Sequence, residues 1–265
     1  MQNYRIINAD TEIFIEELPD ADWIYIDPHR RSETGKKVFK IADCEPDLTR
    51  IFTQLRQKSP NLLVKLSTML DISSAMNELS DIAEVHVLSV ENECKEIILK
   101  IKNSKEKSIQ IVCENILRST DNQRLIFSPE EEKSAVNKIA AKINKYLYEP
   151  NVSVLKAGAF KILTQKFPLE KLHLHTHLYT SDELLPSFPG KVFEVREIFH
   201  FDKKNLKRLV QDYPKANIAS RNFILSVDDF RKKTGITDGG NIYMYLCKNS
   251  SDQHLILVCE KNKGF

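Results

Sequence analysis

Two short apolar runs, WIYI at 23–26 and NLLVKLS at 61–67, bracket a stretch in which Leu48, Ile51, Phe52 and Leu55 recur at helical spacing. A continuous apolar run of this length is the pattern of a strand buried on both faces. Strands that alternate with helices belong to a mostly parallel α/β sheet. The same rhythm extends in both directions. YRIINA (4–9) reads as a strand and TEIFIEEL (11–18) as a short helix stopped near Pro19. Pro46–Asp47 opens the helix that carries Leu48, and ISSAMNELS (72–80) is a further helix. EVHVLSV (84–90) and KEIILKI (95–101) flank the polar turn 91–93 and form a hairpin, which ends the sheet on an antiparallel strand.

A second region begins after about residue 115. SPEEEKSAVNKIAAKI (128–143) has the signature of a helix, with Ser128 as N-cap, Pro129 at the first position and three glutamates in the first turn. EPNVSVLKAGAFKILTQKF (149–167) predicts another helix, and KLHLHTHLYTS (171–181) alternates like a strand. SFPGK (187–191) is a junction. Beyond it the order is strand 192–200, helix 203–211, strand 216–220, helix 227–234 and a hairpin of 242–247 and 254–260. The expected domains are 1–115, 116–190 and 191–265.

The composition is that of an ordinary globular protein, 42 % hydrophobic and 29 % charged with a net charge of +2. Any nucleic-acid surface must therefore come from local clustering. Five dispersed cysteines without a CxxC pair, and no signal peptide, predict free thiols in the cytoplasm. No apolar run approaches a membrane span.

Asp10 and Asp27 close two of the predicted strands, and ligands of open α/β sheets bind at the carboxyl ends of strands. Each also has a plain structural use. Asp10 can N-cap the helix that follows, and Asp27–Pro28 can open a turn. As a pair on adjacent strands they are better explained by a shared ligand.

The series IINAD…WIYIDPHRR…LLVKLS resembles the later half of a class I S-adenosylmethionine-dependent methyltransferase. The motifs DPHRRSETGKKVFKIADCEPDL, VKLSTMLDI, ECKE, YLYEPNVSVLKAGAFK, HLYTSD and FPGK are similar to a bacterial group of such proteins, with a ferredoxin-like segment and a C-terminal THUMP-like domain. The resemblance covers essentially the whole chain. It implies a Rossmann-like sheet made of later strands plus a terminal hairpin, followed by two small α+β domains. Ala9 and Asp10 would face the cofactor's adenine. Asp27, Pro28, His29 and Arg30 would stand where the family carries its catalytic motif, with Asp27 also touching the cofactor. The family's glycine-rich loop, where backbone approaches the cofactor, has no counterpart, because no glycine precedes Gly35. The expectation is a chain without the family's N-terminal part that binds S-adenosylmethionine weakly or not at all.

Methyl transfer needs an aligned nucleophile and a place for its proton, and Asp27 can orient a substrate amine. The cysteine that C5 methylation of a pyrimidine requires is missing after the fifth strand, where Ser67, Thr68 and Met69 stand. Cys44 reads as a packing residue. Amine or hydroxyl methylation is expected. Arg30, Arg31, Lys36, Lys37 and Lys40 form a basic loop that either is simply solvated or positions phosphate.

From 191 onward, fourteen Lys and Arg stand against nine Asp and Glu, a balance of +5. Lys203, Lys204, Lys207 and Arg208 form the outer face of one helix, and Lys215, Arg221, Arg231, Lys232 and Lys233 add to the cluster. That pattern fits an RNA-backbone surface as well as a merely soluble helix. THUMP domains deliver RNA to an attached modification enzyme, so the resemblance implies RNA as partner. His173, His175 and His177 alternate and would share one strand face; no further ligand accompanies them, and no metal site is expected. The leading expectation is a methyltransferase acting on tRNA or rRNA. The alternatives are a non-catalytic RNA-binding remnant and a methyltransferase for a protein or small molecule.

Overall fold

The architecture comes from a computed structural model that describes residues 4–30, 40–102, 108–118 and 121–262. The chain forms two compact units, Met1–Ile116 with Arg124–Pro129, and Leu117–Gln123 with Glu130–Phe265.

In the first unit the apolar runs become strands, but not strands buried on both faces: Trp23 and Tyr25 are 47 % and 60 % exposed, and only alternate residues of the second run are buried. β1 (Ile24–Ile26) runs parallel to β4 (Asn61–Leu66), with Ile24 opposite Leu62 and Ile26 opposite Val64. Between β1 and β4 come the small antiparallel ribbon of β2 (His29–Arg30) and β3 (Cys44–Glu45) and the helix α2 (Leu48–Lys58). β5 (Ile82–Val90) and β6 (Glu93–Lys102) form the hairpin, and β6 inserts antiparallel between β4 and β5. β7 (Gln110–Ile116) and β8 (Gln123–Phe127) complete a sheet ordered β1-β4-β6-β5-β7-β8. Along β4 every second side chain, Leu62, Val64 and Leu66, is buried. The period of two puts them on one face, and α2 packs against this strand through its own apolar stripe of Leu48, Ile51 and Leu55. Asp47 starts α2 where Pro46–Asp47 predicted, accepting from the Thr49 amide at 3.0 Å. Asp71 caps α3 (Ile72–Glu78) at 2.7 Å from the Ser74 amide.

Several expectations need correction. Residues 4–9 form no strand. Tyr4 and Ile6 are 73 % and 84 % exposed, and no described strand pairs with this segment, so its apolar residues have nothing to pack on. The helix predicted over 11–18 is α1 (Thr11–Phe14), continued only as turns. The helix predicted over 128–143 is α4 (Pro129–Ser134), because from Ala135 the backbone leaves to pair elsewhere. The Ala140 amide bonds to Lys171 O at 2.9 Å, the Lys171 amide bonds to Lys138 O at 2.7 Å, and Val136 is exposed. The region 149–167 is not one helix but the end of β9 (Tyr146–Pro150), α5 (Val152–Lys156) and α6 (Leu163–Lys166). Gly158 turns the chain between the two helices at φ +72°, a left-handed conformation that breaks a helix. Residues 171–181 are not one strand but β10 (Glu170–His173) and β11 (Thr176–Ser181), folded back antiparallel.

The C-terminal elements match their predicted places within two residues. They are β12 (Gly190–His200), α7 (Lys203–Asp212), β13 (Asn217–Arg221), α8 (Val227–Thr234), β14 (Ile242–Lys248) and β15 (His254–Lys261). The expected break near residue 190 is bridged, since β12 pairs with β9 and with β15 in one seven-stranded sheet, β10-β11-β9-β12-β15-β14-β13. β14 alternates between two cores. Met244 and Leu246 join Leu209 of α7 and Phe230 of α8, while Tyr245 and Cys247 join Leu147, Leu178 and Phe193 on the other side. The sheet curls, because Thr176 Oγ1 of β11 reaches Lys248 O of β14 at 3.1 Å. No helix among the described residues is long and apolar enough to cross a membrane.

Candidate functional site

The tip of β1 opens onto a cleft of about 440 Å³ lined by Ala9, Asp10, Thr11, Glu12, Asp27, His29, Glu45 and Pro46. The structure thus gathers four residues singled out in the sequence, Ala9, Asp10, Asp27 and His29, although strand 4–9 does not form. Asp10 is the N-cap of α1. Its Oδ1 accepts from the amides of Glu12 at 2.8 Å and Ile13 at 3.3 Å, which is the structural use available from sequence. Asp27 follows the last residue of β1. The parallel register sets it beside Lys65 on β4, whose Nζ donates to Asp27 Oδ2 at 2.5 Å. That bond is the largest influence raising the Lys65 pKa above its ordinary value. Pro28 is buried and turns the chain into β2, where His29 Nε2 lies 3.8 Å from Glu45 Oε2 across the ribbon.

The turn that leads into β3 is anchored on α3. Glu78 of α3 accepts from the amides of Ile41 at 3.0 Å and Ala42 at 3.4 Å, and from Ser74 Oγ at 2.6 Å. Cys44 is buried, with Sγ 3.8 Å from Lys40 O, the placement of a packing thiol. Arg31, Lys36 and Lys37 lie outside the described residues; of Arg30 only the backbone is described, in β2 opposite Cys44. With Asp10, Glu12, Asp27 and Glu45 around it, the cleft favours a cationic ligand group or one rich in N–H donors. Lys65, Glu12 and Glu45 escaped the sequence reading. Lys65 was within reach of it, since the residue after a strand tip meets its register partner on the next parallel strand.

Known proteins share this fold. Residues 146–189 match a family model described as a ferredoxin-like domain, and residues 190–261 match one described as THUMP domain-like. A crystal structure from Porphyromonas gingivalis W83, described as that of a candidate methyltransferase, is similar at TM-score 0.86 and 34 % identity. The similarity covers 95 % of this chain and 62 % of that one. The chain is thus similar to that candidate methyltransferase along most of its length and carries segments like these two domains. It spans less than two thirds of the length of that relative. No curated protein sequence matches it. Within the methyltransferase-like frame, β1, β4, β6 and β5 are the later strands and terminal hairpin of the Rossmann-like sheet, with Asp27 at a strand tip.

In the THUMP-like segment the basic residues separate into two kinds. Arg208 contacts Glu197, lies 3.3 Å from Asp212 and stacks over Phe199 at 4.9 Å. Arg221 pairs with the buried Glu149 at 2.6 Å, and Glu149 also accepts from Tyr245 at 2.9 Å. Arg231 binds Asp238 at 2.5 Å and the carbonyls of Ile236 and Ala216. These three arginines, singled out in the sequence as RNA contacts, each tie elements of the chain's own fold together. Lys203, Lys204, Lys207, Lys232 and Lys233 are exposed, and no carboxylate among the described residues lies within 4.0 Å of their ammonium groups. The three histidines do not share a face. His173 ends β10 and lies 3.5 Å from Asp252, His175 sits in the turn, and His177 on β11 stacks on Phe160 with centroids 3.7 Å apart. Among the described residues no group of three or more potential ligands is arranged for a metal.

Proposed function

We propose that this chain is a cytoplasmic, S-adenosylmethionine-dependent methyltransferase acting on RNA, either tRNA or rRNA, at an amine or hydroxyl. The carrying observation is the cleft that brings Ala9, Asp10, Asp27 and His29 together at the tip of β1. Its carboxylates suit the cationic cofactor. Asp10 Oδ2 would be available to accept from an amine such as that of adenine, and Asp27 would orient a substrate N–H or O–H and accept its proton. The cofactor supplies an activated methyl group, and Lys65 keeps the Asp27 carboxylate in one direction. Lys203, Lys204, Lys207, Lys232 and Lys233 supply positive charge for RNA phosphates.

The cleft lining contains no glycine to let backbone close on the cofactor. The expected affinity of this chain is therefore low, and a non-catalytic RNA-binding role is the second reading. Calorimetric titration of S-adenosylmethionine decides between them, run on this chain and on the gene product extended to any earlier in-frame start. Binding confined to the longer protein, and lost on Asp27→Ala, supports the enzyme. Binding to neither supports the RNA-binding role, and Asp27 is then a turn residue.

A further inference from the structure

The division of labour among the cations goes further than their number. All four arginines of residues 190–261 are ion-paired within the fold: Arg196 with Glu194 and Glu260, Arg208 with Glu197 and Asp212, Arg221 with Glu149, and Arg231 with Asp238. Of the nine lysines in the same segment, Lys248 alone has a carboxylate partner among the described residues, Asp252. The two side chains differ in what they recognise. A guanidinium presents a rigid fork that reads a guanine edge bidentately, whereas an ammonium is a hydrated point charge. Forks already closed on carboxylates are withdrawn from base readout. Free ammonium groups still neutralise phosphate.

Their placement agrees with this division. α7 and α8 bury Leu209 and Phe230 in one core, so both helices cover the same face of the sheet. Lys203, Lys204 and Lys207 stand on the exposed side of α7, and Lys232 and Lys233 on the exposed last turn of α8. No large apolar side chain on either helix is strongly exposed, which leaves no platform there for stacking a base.

We propose that the THUMP-like segment holds RNA through phosphate contacts from these lysines alone and contributes affinity without sequence selectivity, any choice of nucleotide being left to the β1-tip cleft. The proposal rests on the RNA reading above.

The test is fluorescence anisotropy of the 265-residue chain with labelled 20-nucleotide oligouridine and a mixed-sequence RNA of equal length, over a range of salt concentrations. The expected affinities agree within about threefold. Each lysine changed to glutamine among Lys203, Lys207 and Lys232 is expected to reduce the slope of log K against log salt by about 0.7, the single-strand value per phosphate neutralised. Arg231→Lys should lower the melting temperature and leave the slope unchanged. A preference above tenfold between the two RNAs, or an unaltered slope in the triple lysine variant, overturns the proposal while the RNA reading stands. Absence of binding to either RNA overturns both.

Discussion

At the residue scale the most informative side chain outside the cleft is His177. Its ring stacks on Phe160, its Nδ1 is buried without a hydrogen-bond partner, and burial pushes its pKa down to about 4, with the Lys171 ammonium and His175 as lesser causes. In the unfolded chain the same ring titrates near its ordinary value of about 6.5. Between those two values the unfolded state takes up a proton that the folded state refuses. Stability is therefore full above about pH 6.5 and falls as the pH drops toward 4, by on the order of 2 kcal/mol once partial exposure is allowed for. His177→Phe keeps the stacking and removes the proton site. Chemical denaturation of this variant at pH 4.5 and 7.5 should show a smaller difference than the parent; an equal difference would assign the acid sensitivity elsewhere. The histidine row also shows where residue-scale reading stops. An HxHxH string looks like one strand face, but the turn at Leu174–His175 leaves the His173 and His175 rings 5.6 Å apart and sets His177 on Phe160. Lys65 is the opposite case, since its partner lies 38 residues away but follows from the parallel register of β1 and β4.

At the element scale, legibility followed the kind of pattern. The runs at β1 and β4 and the hairpin β5–β6 declared themselves because burial on a sheet leaves a period or a run that few other structures produce. Residues 128–143 predict too long a helix because Ser128, Pro129 and three glutamates mark only its start; Ala135, Ile139 and Ile143 sit four apart, a spacing that an irregular segment bridged to β10 satisfies equally well. β7 and β8 were unassigned, since QIVCENI and QRLIF are short and do not alternate cleanly. Gly190 carries the sharpest element-scale prediction. A Cβ there would lie 2.1 Å from Glu149 O, a backbone atom in the β9–β12 pairing. No side-chain rotation relieves that clash, so the strands must separate. Gly190→Ala is expected to cost more than about 3 kcal/mol, among the larger single-residue effects, readable as a lower denaturant midpoint. Gly158→Ala, with open space around its Cβ and only left-handed strain to bear, should cost about 1 kcal/mol.

At the scale of the whole molecule, two compact units predict separable behaviour. Among the described strands the seven-stranded sheet pairs only with its own members, and its buried clusters Leu147–Phe193–Leu257 and Leu209–Phe230–Met244 draw on no residue before Leu117. A fragment of residues 117–262 is expected to unfold cooperatively, with a midpoint close to that of the matching transition in the full chain. A fragment that stays unfolded would show that the first unit is needed for stability. Order and class of elements could be read from sequence from β12 onward, whereas between α4 and β11 the sequence pattern overextended helices and merged two strands. The single sheet joining these two parts could not be read, because strand adjacency between β9 and β12 leaves no local trace.

That joint sheet has a consequence for how such proteins can be recombined. Residues 146–189 and 190–261 match separate family models, which invites cutting between them. A cut there severs the chain at Gly190 and strips β9 and β12 of each other. Each piece then displays a row of unpaired amides and carbonyls on strands whose side chains are already apolar, the arrangement that templates aggregation. The two segments are thus expected to exchange only as one cassette, and a chimera that swaps either one alone should go to inclusion bodies unless its replacement restores the missing strand.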